Sequence, residues 1–237
     1  MFDFFSRKKS IAQEGILNGA TDCHSHILFG VDDGIRTAEE SLNVLKFLEG
    51  QGLKELWLTP HTMEDVPNTT EALKARFEEL KGMYSGSIEL HLASEYMMDD
   101  LFEKHLEEHD FLTHKEYNSV LVETSTWSAP YRFWQNLEEM MKEGYRPIIA
   151  HPERYTYMEK KDYERLHAMG ARLQLNYPSL AGSYGRLVEE KARMILEKGW
   201  YDMTGSDCHR LSALHRQLDE KMLKSSTLSL LKEIATK

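Results

Sequence analysis

Seven short β-prone runs, each followed by a helical pattern, set the strongest limit on how this chain can fold. They span 21–28, 55–60, 88–94, 119–124, 146–150, 172–176 and 201–205. Strands alternating with helices read as βα units and a parallel sheet. The helices carry their own signals. Thr37-Ala-Glu-Glu40 is a capping box, Leu42, Leu45 and Leu48 follow at helical spacing, and Gly52 closes the segment. Further helices are expected over 70–83, 131–143, 162–169 and 186–198, the last three ended by Gly144, Gly170 and Gly199. A shorter one is expected over 100–108, and 211–236 should hold one or two more. No Gly/Ser/Pro-rich linker or repeat divides the chain, so it reads as a single domain.

Metal-ligand residue types gather at the C-terminal ends of these runs. The first ends in Asp22-Cys-His24-Ser-His26, followed by Asp32 and Asp33, and the second in Thr59-Pro-His61. The third ends in Ser94-Glu95, the fourth in Val122-Glu123-Thr124 and the fifth in Ala150-His151-Pro-Glu-Arg154. The seventh ends in Gly205-Ser-Asp207-Cys-His209; only the sixth, Asn176-Tyr-Pro178, offers neither carboxylate nor imidazole. An open sheet would spread these groups along an edge, whereas a barrel gathers its strand ends around one rim. Their convergence favours a barrel of about seven βα units. Residues i and i+2 of a strand face the same way, so His24 with His26, and Asp207 with His209, can each grip one ion. The intervening Cys23 and Cys208 are then expected to point outward, toward the helices. Nitrogen and oxygen donors without sulfur suit Zn²⁺, Mn²⁺ or Fe²⁺. Of the remaining histidines, His91 reads as structural, and His105, His109, His114, His167 and His215 as surface residues.

Composition removes other classes. With 29 Lys+Arg against 39 Asp+Glu, the net charge of −10 argues against a general nucleic-acid or anionic-membrane binder. No apolar run is long enough to span a bilayer. The opening aromatic cluster precedes its basic run, the wrong order for a secretory signal. Two cysteines make no disulfide scaffold and point to a reducing cytoplasm. Neither thiol has the arginine six residues on that a cysteine phosphatase loop needs: those positions are Phe29 and Leu214. No Walker loop, Gly-x-Gly-x-x-Gly or nucleophile elbow occurs.

Read together, Asp22-Cys-His-Ser-His26, Val31-Asp-Asp-Gly34, Thr59-Pro-His61, Ser94-Glu95, Leu121-Val-Glu123, Ala150-His-Pro-Glu-Arg-Tyr155 and Ser206-Asp-Cys-His209 resemble the motifs of the polymerase-and-histidinol-phosphatase (PHP) superfamily. Within it they most resemble the bacterial capsular/exopolysaccharide tyrosine-protein phosphatases. The resemblance implies an α/β fold, a distorted (β/α)7 TIM-like barrel over 21–237, with 1–20 as an N-terminal extension. That extension lies outside the resemblance; its Phe2, Phe4 and Phe5 are expected to pack on the barrel, with a partner or a membrane surface as the alternatives. The resemblance further implies up to three metal ions, usually Mn²⁺, with Fe or Zn as alternatives. His24, His26, Glu95 and Asp207 would bind the first, and Glu95, Glu123 and His151 the second, with Glu95 bridging. Asp33, His61 and His209 would bind the third. Arg154 matches the family's phosphate-binding arginine, with Tyr155 beside it at the substrate. A second arginine, Arg210 or Arg216, would follow the last motif, and Asp207 is a candidate proton donor. The implied activity is metal-dependent hydrolysis of phosphotyrosine, in the cytoplasm, on the Tyr-rich tail of a bacterial tyrosine kinase controlling capsule or exopolysaccharide export. Membrane contact would come only through that kinase. The alternatives are a small-molecule phosphatase of histidinol-phosphatase type, a nuclease-type phosphodiesterase, disfavoured by the charge, and a non-catalytic metal-dependent docking protein. Zinc amidohydrolases also begin with His-x-His but place a carbamylated Lys where this chain has Glu123.

Overall fold

Local signals act where the sequence places them. In the computed structural model, which describes residues 8–114 and 118–236, Thr37 Oγ1 accepts the Glu40 N–H and Glu40 reaches back to the Thr37 N–H. That box opens the helix Ala38–Gly50, which buries Val44, Leu45 and Leu48. The tail forms two helices, Leu211–Asp219 and Ser225–Ala235. Among the described residues no helix is long and apolar enough to cross a membrane.

The strands are β1 (Thr21–Asp22), β2 (Glu55–Leu58), β3 (His61–Thr62), β4 (Glu89–Leu92), β5 (Glu95–Met97), β6 (Ser119–Glu123), β7 (Arg146–Ile149), β8 (Arg172–Asn176) and β9 (Met203–Gly205). All their pairings are parallel, in the orders β1-β2-β4 and β3-β5-β6-β7-β8-β9. Two expected runs, 55–60 and 88–94, are thus each followed, after a break, by a further short strand. Pro60, which has no N–H to donate, separates β2 from β3. Ser94 separates β4 from β5, and its hydroxyl turns to the Pro60 carbonyl and Thr62. The halves stay in line, because Ala93 N–H donates to Leu58 O and Glu95 N–H to Pro60 O. The first run ladders only over Thr21–Asp22. It then follows the last strand through Cys23 N–H to Thr204 O, Asp207 N–H to His24 O and a Ser25–Cys208 bridge. Last strand thus meets first, and seven strand positions curl into a distorted barrel. The distortion lies where no ladder joins β4 to β6; there His114 bridges to Ser119 and stacks on Trp57 at 4.2 Å.

Two apolar layers hold this shape. The larger lies between sheet and helices and includes Val120, Val122, Ile149, Leu173 and Leu175. The smaller fills the barrel interior with Leu121, Ile148, Ala150 and Met203, against which Cys23 packs. Cys23 therefore faces inward, contrary to expectation: it shares the face of Thr21, two residues before it, and the two line one cavity with Trp57 and Met203. Cys208 does join the outer layer. His105 and His114 are buried rather than at the surface. Ile11, Ile16, Leu17 and Ala20 of the 8–20 segment are buried in the outer core, and Lys9 bridges to Leu223. Phe2, Phe4 and Phe5 lie outside the described residues.

Candidate metal centre

The nine side chains His24, His26, Asp33, His61, Glu95, Glu123, His151, Asp207 and His209 converge at the C-terminal rim, in overlapping groups whose ligand atoms lie within 4.8 Å of one another. Glu95, the first residue of β5 and wholly buried, is their hub. Its Oε2 lies 3.2 Å from His24 Nε2, 3.2 Å from His26 Nε2 and 3.1 Å from His61 Nδ1, and its Oε1 lies 3.1 Å from His151 Nε2. Asp207 Oδ1 closes the first group at 3.3 Å from His26 Nε2 and 3.6 Å from His24 Nε2. Glu123 at the end of β6 is 3.1 Å from His61 Nδ1 and 3.8 Å from His151 Nε2. Asp33 is 3.3 Å from His209 and 3.6 Å from His61 through their Nε2 atoms. His61 thus stands between two groups, one nitrogen toward each.

The backbone is bent to achieve this. His151 and Asp207 have φ of 32° and 50°, in the left-handed region that costs a non-glycine residue on the order of 1–3 kcal/mol. Two glycines permit close approach: a Cβ on Gly34 would lie 2.2 Å from the His26 carbonyl oxygen, and one on Gly205 would lie 2.5 Å from His24 Cβ. The Val-Asp-Asp-Gly motif therefore needs its glycine for space.

Hydrogen bonds outside the nine set the imidazole tautomers. His24 Nδ1 donates to Gln174 Oε1 at 3.0 Å, and His26 Nδ1 to Asp32 Oδ2 at 2.8 Å. This network assigns both Nε2 atoms as lone-pair donors, yet they face each other at 3.1 Å. Glu95 Oε2 and His61 Nδ1 are buried without a hydrogen-bond partner. Opposed lone pairs and an orphaned carboxylate oxygen suit a shared divalent cation, so the residues present fit a metal centre.

The electrostatics agree. Burial would push the Glu95 and Asp207 carboxyls up, but the surrounding imidazoles, His24 foremost, hold both well below the usual carboxylate range. Burial alone would lower His26 and His61, yet the carboxylates raise both, His61 to about 10. His209 is lowered, chiefly by burial and then by the charge of His26.

Gln174 and Asn176 are parts of the site that the sequence reading passed over, and Asp32, named there among the ligand types, instead orients His26. Besides holding His24, Gln174 Oε1 accepts the His151 N–H at 3.1 Å, and its Nε2 donates to Asn176 Oδ1. Asn176 Nδ2 donates in turn to Asp207 Oδ2 at 2.8 Å. The strand without a ligand is thus the one that aligns ligands of its neighbours. The i, i+2 spacing of two amides at a strand end was the signal available.

Within His151-Pro-Glu-Arg-Tyr155 the chain alternates between rim and core. Arg154 reaches the rim, where Nη1 donates to Asp207 Oδ2 at 2.9 Å and the side chain is 24% exposed. Glu153 is buried and accepts from Tyr201 O–H and Asn176 N–H. Tyr155, expected at the substrate, is wholly buried: its ring packs edge-on to His151 and its hydroxyl accepts the Thr124 N–H. It supports the rim from beneath. Arg210 is exposed and lines a cavity of about 390 Å³ with Gly34, Arg36 and His209. Arg216 is exposed and lines a separate cavity with Ser183 and Glu220. No hydrogen bond or ion pair joins either side chain to the nine.

The family model for capsular polysaccharide synthesis, CpsB/CapC, matches residues 20–227. The chain belongs to the CpsB/CapC family. Among its curated relatives, tyrosine-protein phosphatase CpsB of Streptococcus pneumoniae is 30% identical over 205 residues, 81% of this chain and 84% of that protein. Tyrosine-protein phosphatase YwqE of Bacillus subtilis is 26% identical over 207 residues, covering 85% and 82%. The fold matches a crystal structure from work on YwqE and CpsB, described there as metal-dependent tyrosine phosphatases. The TM-score is 0.77 at 22% identity, over 92% of this chain and 88% of that one. All nine candidate ligands and Arg154 fall inside the part that the CpsB/CapC model covers.

Proposed function

We propose that this CpsB/CapC-family protein is a metal-dependent protein-tyrosine phosphatase, with the nine rim residues as metal ligands and Arg154 as phosphate binder. One observation carries the reading: among the described residues, the one guanidinium with a hydrogen bond to one of the nine is that of Arg154, partly exposed at the rim, on Asp207. Bound divalent cations, Mn²⁺ by family resemblance, would supply a water acidic enough to yield hydroxide at neutral pH and positive charge for the phosphate oxygens. The protein's own part is placement. His24, His26, Glu95 and Asp207 form one ligand set, Glu95, Glu123 and His151 a second, and Asp33, His61 and His209 a third. Glu95, with an oxygen toward each side, fixes the spacing between the first two.

Arg154 keeps N–H groups beyond the one given to Asp207, and a planar fork matches two phosphate oxygens. Arg210, beside His209 on an open cavity, fits a second phosphate contact better than Arg216. Asp207 accepts from both Arg154 and Asn176 and is held ionised, so it serves as ligand rather than proton donor. A phenol's pKa near 10 lets phenolate leave with little acid help. The substrate we infer is the tyrosine-rich tail of a kinase controlling capsule or exopolysaccharide synthesis. It would be met in the cytoplasm as an extended disordered segment.

The test is phosphate release by the Mn²⁺-loaded protein from a phosphotyrosine peptide and from histidinol phosphate, side by side. The proposal expects the peptide to be preferred. Turnover of histidinol phosphate alone would replace it with the small-molecule reading, and binding of the peptide without turnover would make the chain a docking protein.

A further inference from the structure

Tyr184 stands beside the rim in the turn 181–185, between the short helix Tyr177–Leu180 and the helix Arg186–Glu197. It is 38% exposed, so its ring contributes little to the core. Its face lies against Arg154, with the guanidinium carbon 4.4 Å from the ring centroid. Arg154 and Asn176 both donate to the same oxygen, Asp207 Oδ2, at 2.9 and 2.8 Å. Arg154 and Asn176 thus flank the side of Asp207 that faces away from the imidazoles, and Tyr184 stacks on Arg154 there.

That stacking solves a geometric problem. A single ion pair through Nη1 leaves a guanidinium free to swing about that contact. Bidentate recognition of phosphate needs the plane of the fork fixed. An aromatic face against the guanidinium fixes the plane while leaving its edge open. We propose that Tyr184 is a positioning residue, holding the Arg154 guanidinium in the plane that presents its unused N–H groups to a substrate phosphate. The inference rests on the phosphatase reading for its substrate, but not for the phosphate contact itself.

The test uses the full chain loaded with Mn²⁺ and the variants Tyr184→Ala, Tyr184→Leu and Tyr184→Phe, each also made with Arg154→Lys. Inorganic phosphate binding is measured by calorimetry, alongside KM and kcat on a phosphotyrosine peptide and the melting temperature. Loss of the aromatic face should weaken phosphate binding and raise KM by roughly two- to thirtyfold in the Ala and Leu variants. Their melting temperatures and metal content should stay near wild type. Tyr184→Phe keeps the face and should recover most of the affinity. With Arg154→Lys already present, removing the ring should add almost nothing, because the two act as one unit. Wild-type phosphate affinity in Tyr184→Ala, or an equal loss in both backgrounds, overturns the proposal. If the wild type binds phosphate in a Tyr184-dependent way but does not hydrolyse the peptide, the reaction assignment fails and the positioning role stands. If it binds no phosphate at all, both fall.

Discussion

Replacing Gln174 by Leu tests whether the amide relay holds the centre together. The side chain is wholly buried, and leucine nearly matches its volume, so little changes except hydrogen bonding. Three bonds are lost: His24 Nδ1 to Oε1 at 3.0 Å, His151 N–H to Oε1 at 3.1 Å, and Nε2 to Asn176 Oδ1 at 2.9 Å. Two donors and one acceptor are stranded out of water, at ~1–3 kcal/mol each, for a total of about 3–6 kcal/mol if the pocket relaxes partly. For a chain of this size that lowers Tm by about 6–20 °C. His24 is also released from the tautomer that points its Nε2 lone pair at Glu95 and Asp207. Loss of such an orienting bond costs about 10- to 100-fold in metal affinity. Melting of chelator-treated protein reads the first effect, and calorimetric titration with Mn²⁺ reads the second. Gln174→Glu keeps the acceptor for both donors and should recover most of the affinity. A Gln174→Leu protein that melts within about 2 °C of wild type and binds Mn²⁺ equally well would refute the reasoning.

Four further outcomes are expected. Arg154→Lys keeps the charge but not the fork, so kcat/KM on phosphotyrosine peptide should fall ~10²–10³-fold with metal content unchanged. Inhibition by phosphate checks this independently. Gly34→Ala places a methyl group against the His26 carbonyl and should lower metal affinity, as read by Mn²⁺ titration. Burial pushes the Cys208 thiol up to about 12, so it is inert. A Cys23→Ala, Cys208→Ala protein should stay within about threefold of wild-type turnover, and complete loss in a folded, metal-loaded variant would indicate a thiol mechanism. Stability of the metal-free protein should depend on pH with a definite sign. The raised imidazoles of His24, His26 and His61 contribute fully below 6.5, and that contribution is lost as pH rises through their folded values, about 10 for His61. The depressed carboxyls of Glu95 and Asp207 contribute above 4.5 and 3.8, and that is lost as pH falls through their folded values. His209 alone runs the other way among these imidazoles. Metal-free protein should therefore be most stable between about pH 4.5 and 6.5 and weaken toward pH 10. Bound metal should reverse the upper limb, because imidazoles must be deprotonated to act as ligands. Melting curves across pH, with and without Mn²⁺, read both.

The convergence of the strand-end candidate ligands was legible because such residues are chemically rare at these positions and arrive in i, i+2 pairs. Residues such as Gln174 and Asn176 were not, because their i, i+2 spacing marks a shared face but not what the amides hold. Helix boxes such as Thr37–Glu40 act locally and could be read directly. The split of β2 from β3 was written in Pro60, but the matching split at Ser94 follows from a side-chain bond to the neighbouring strand, which sequence does not display. Cys23 faces inward because it shares the face of Thr21, two residues before it, whereas the expectation counted the alternation back from His24. Tyr155 reads as a rim residue from its motif, yet the short helical turn Pro152–Arg154 sends it beneath His151.

The central claim is that the nine side chains are ligands of a shared multi-ion centre. It is tested most directly by counting Mn²⁺ per chain, by elemental analysis, in wild type and in His26→Ala after gel filtration. The account predicts more than one ion per wild-type chain and a reduced count in a variant that remains folded, since His26 Nε2 faces both Glu95 and Asp207. No bound metal in the wild type after reconstitution, or an undiminished count in His26→Ala, would contradict it.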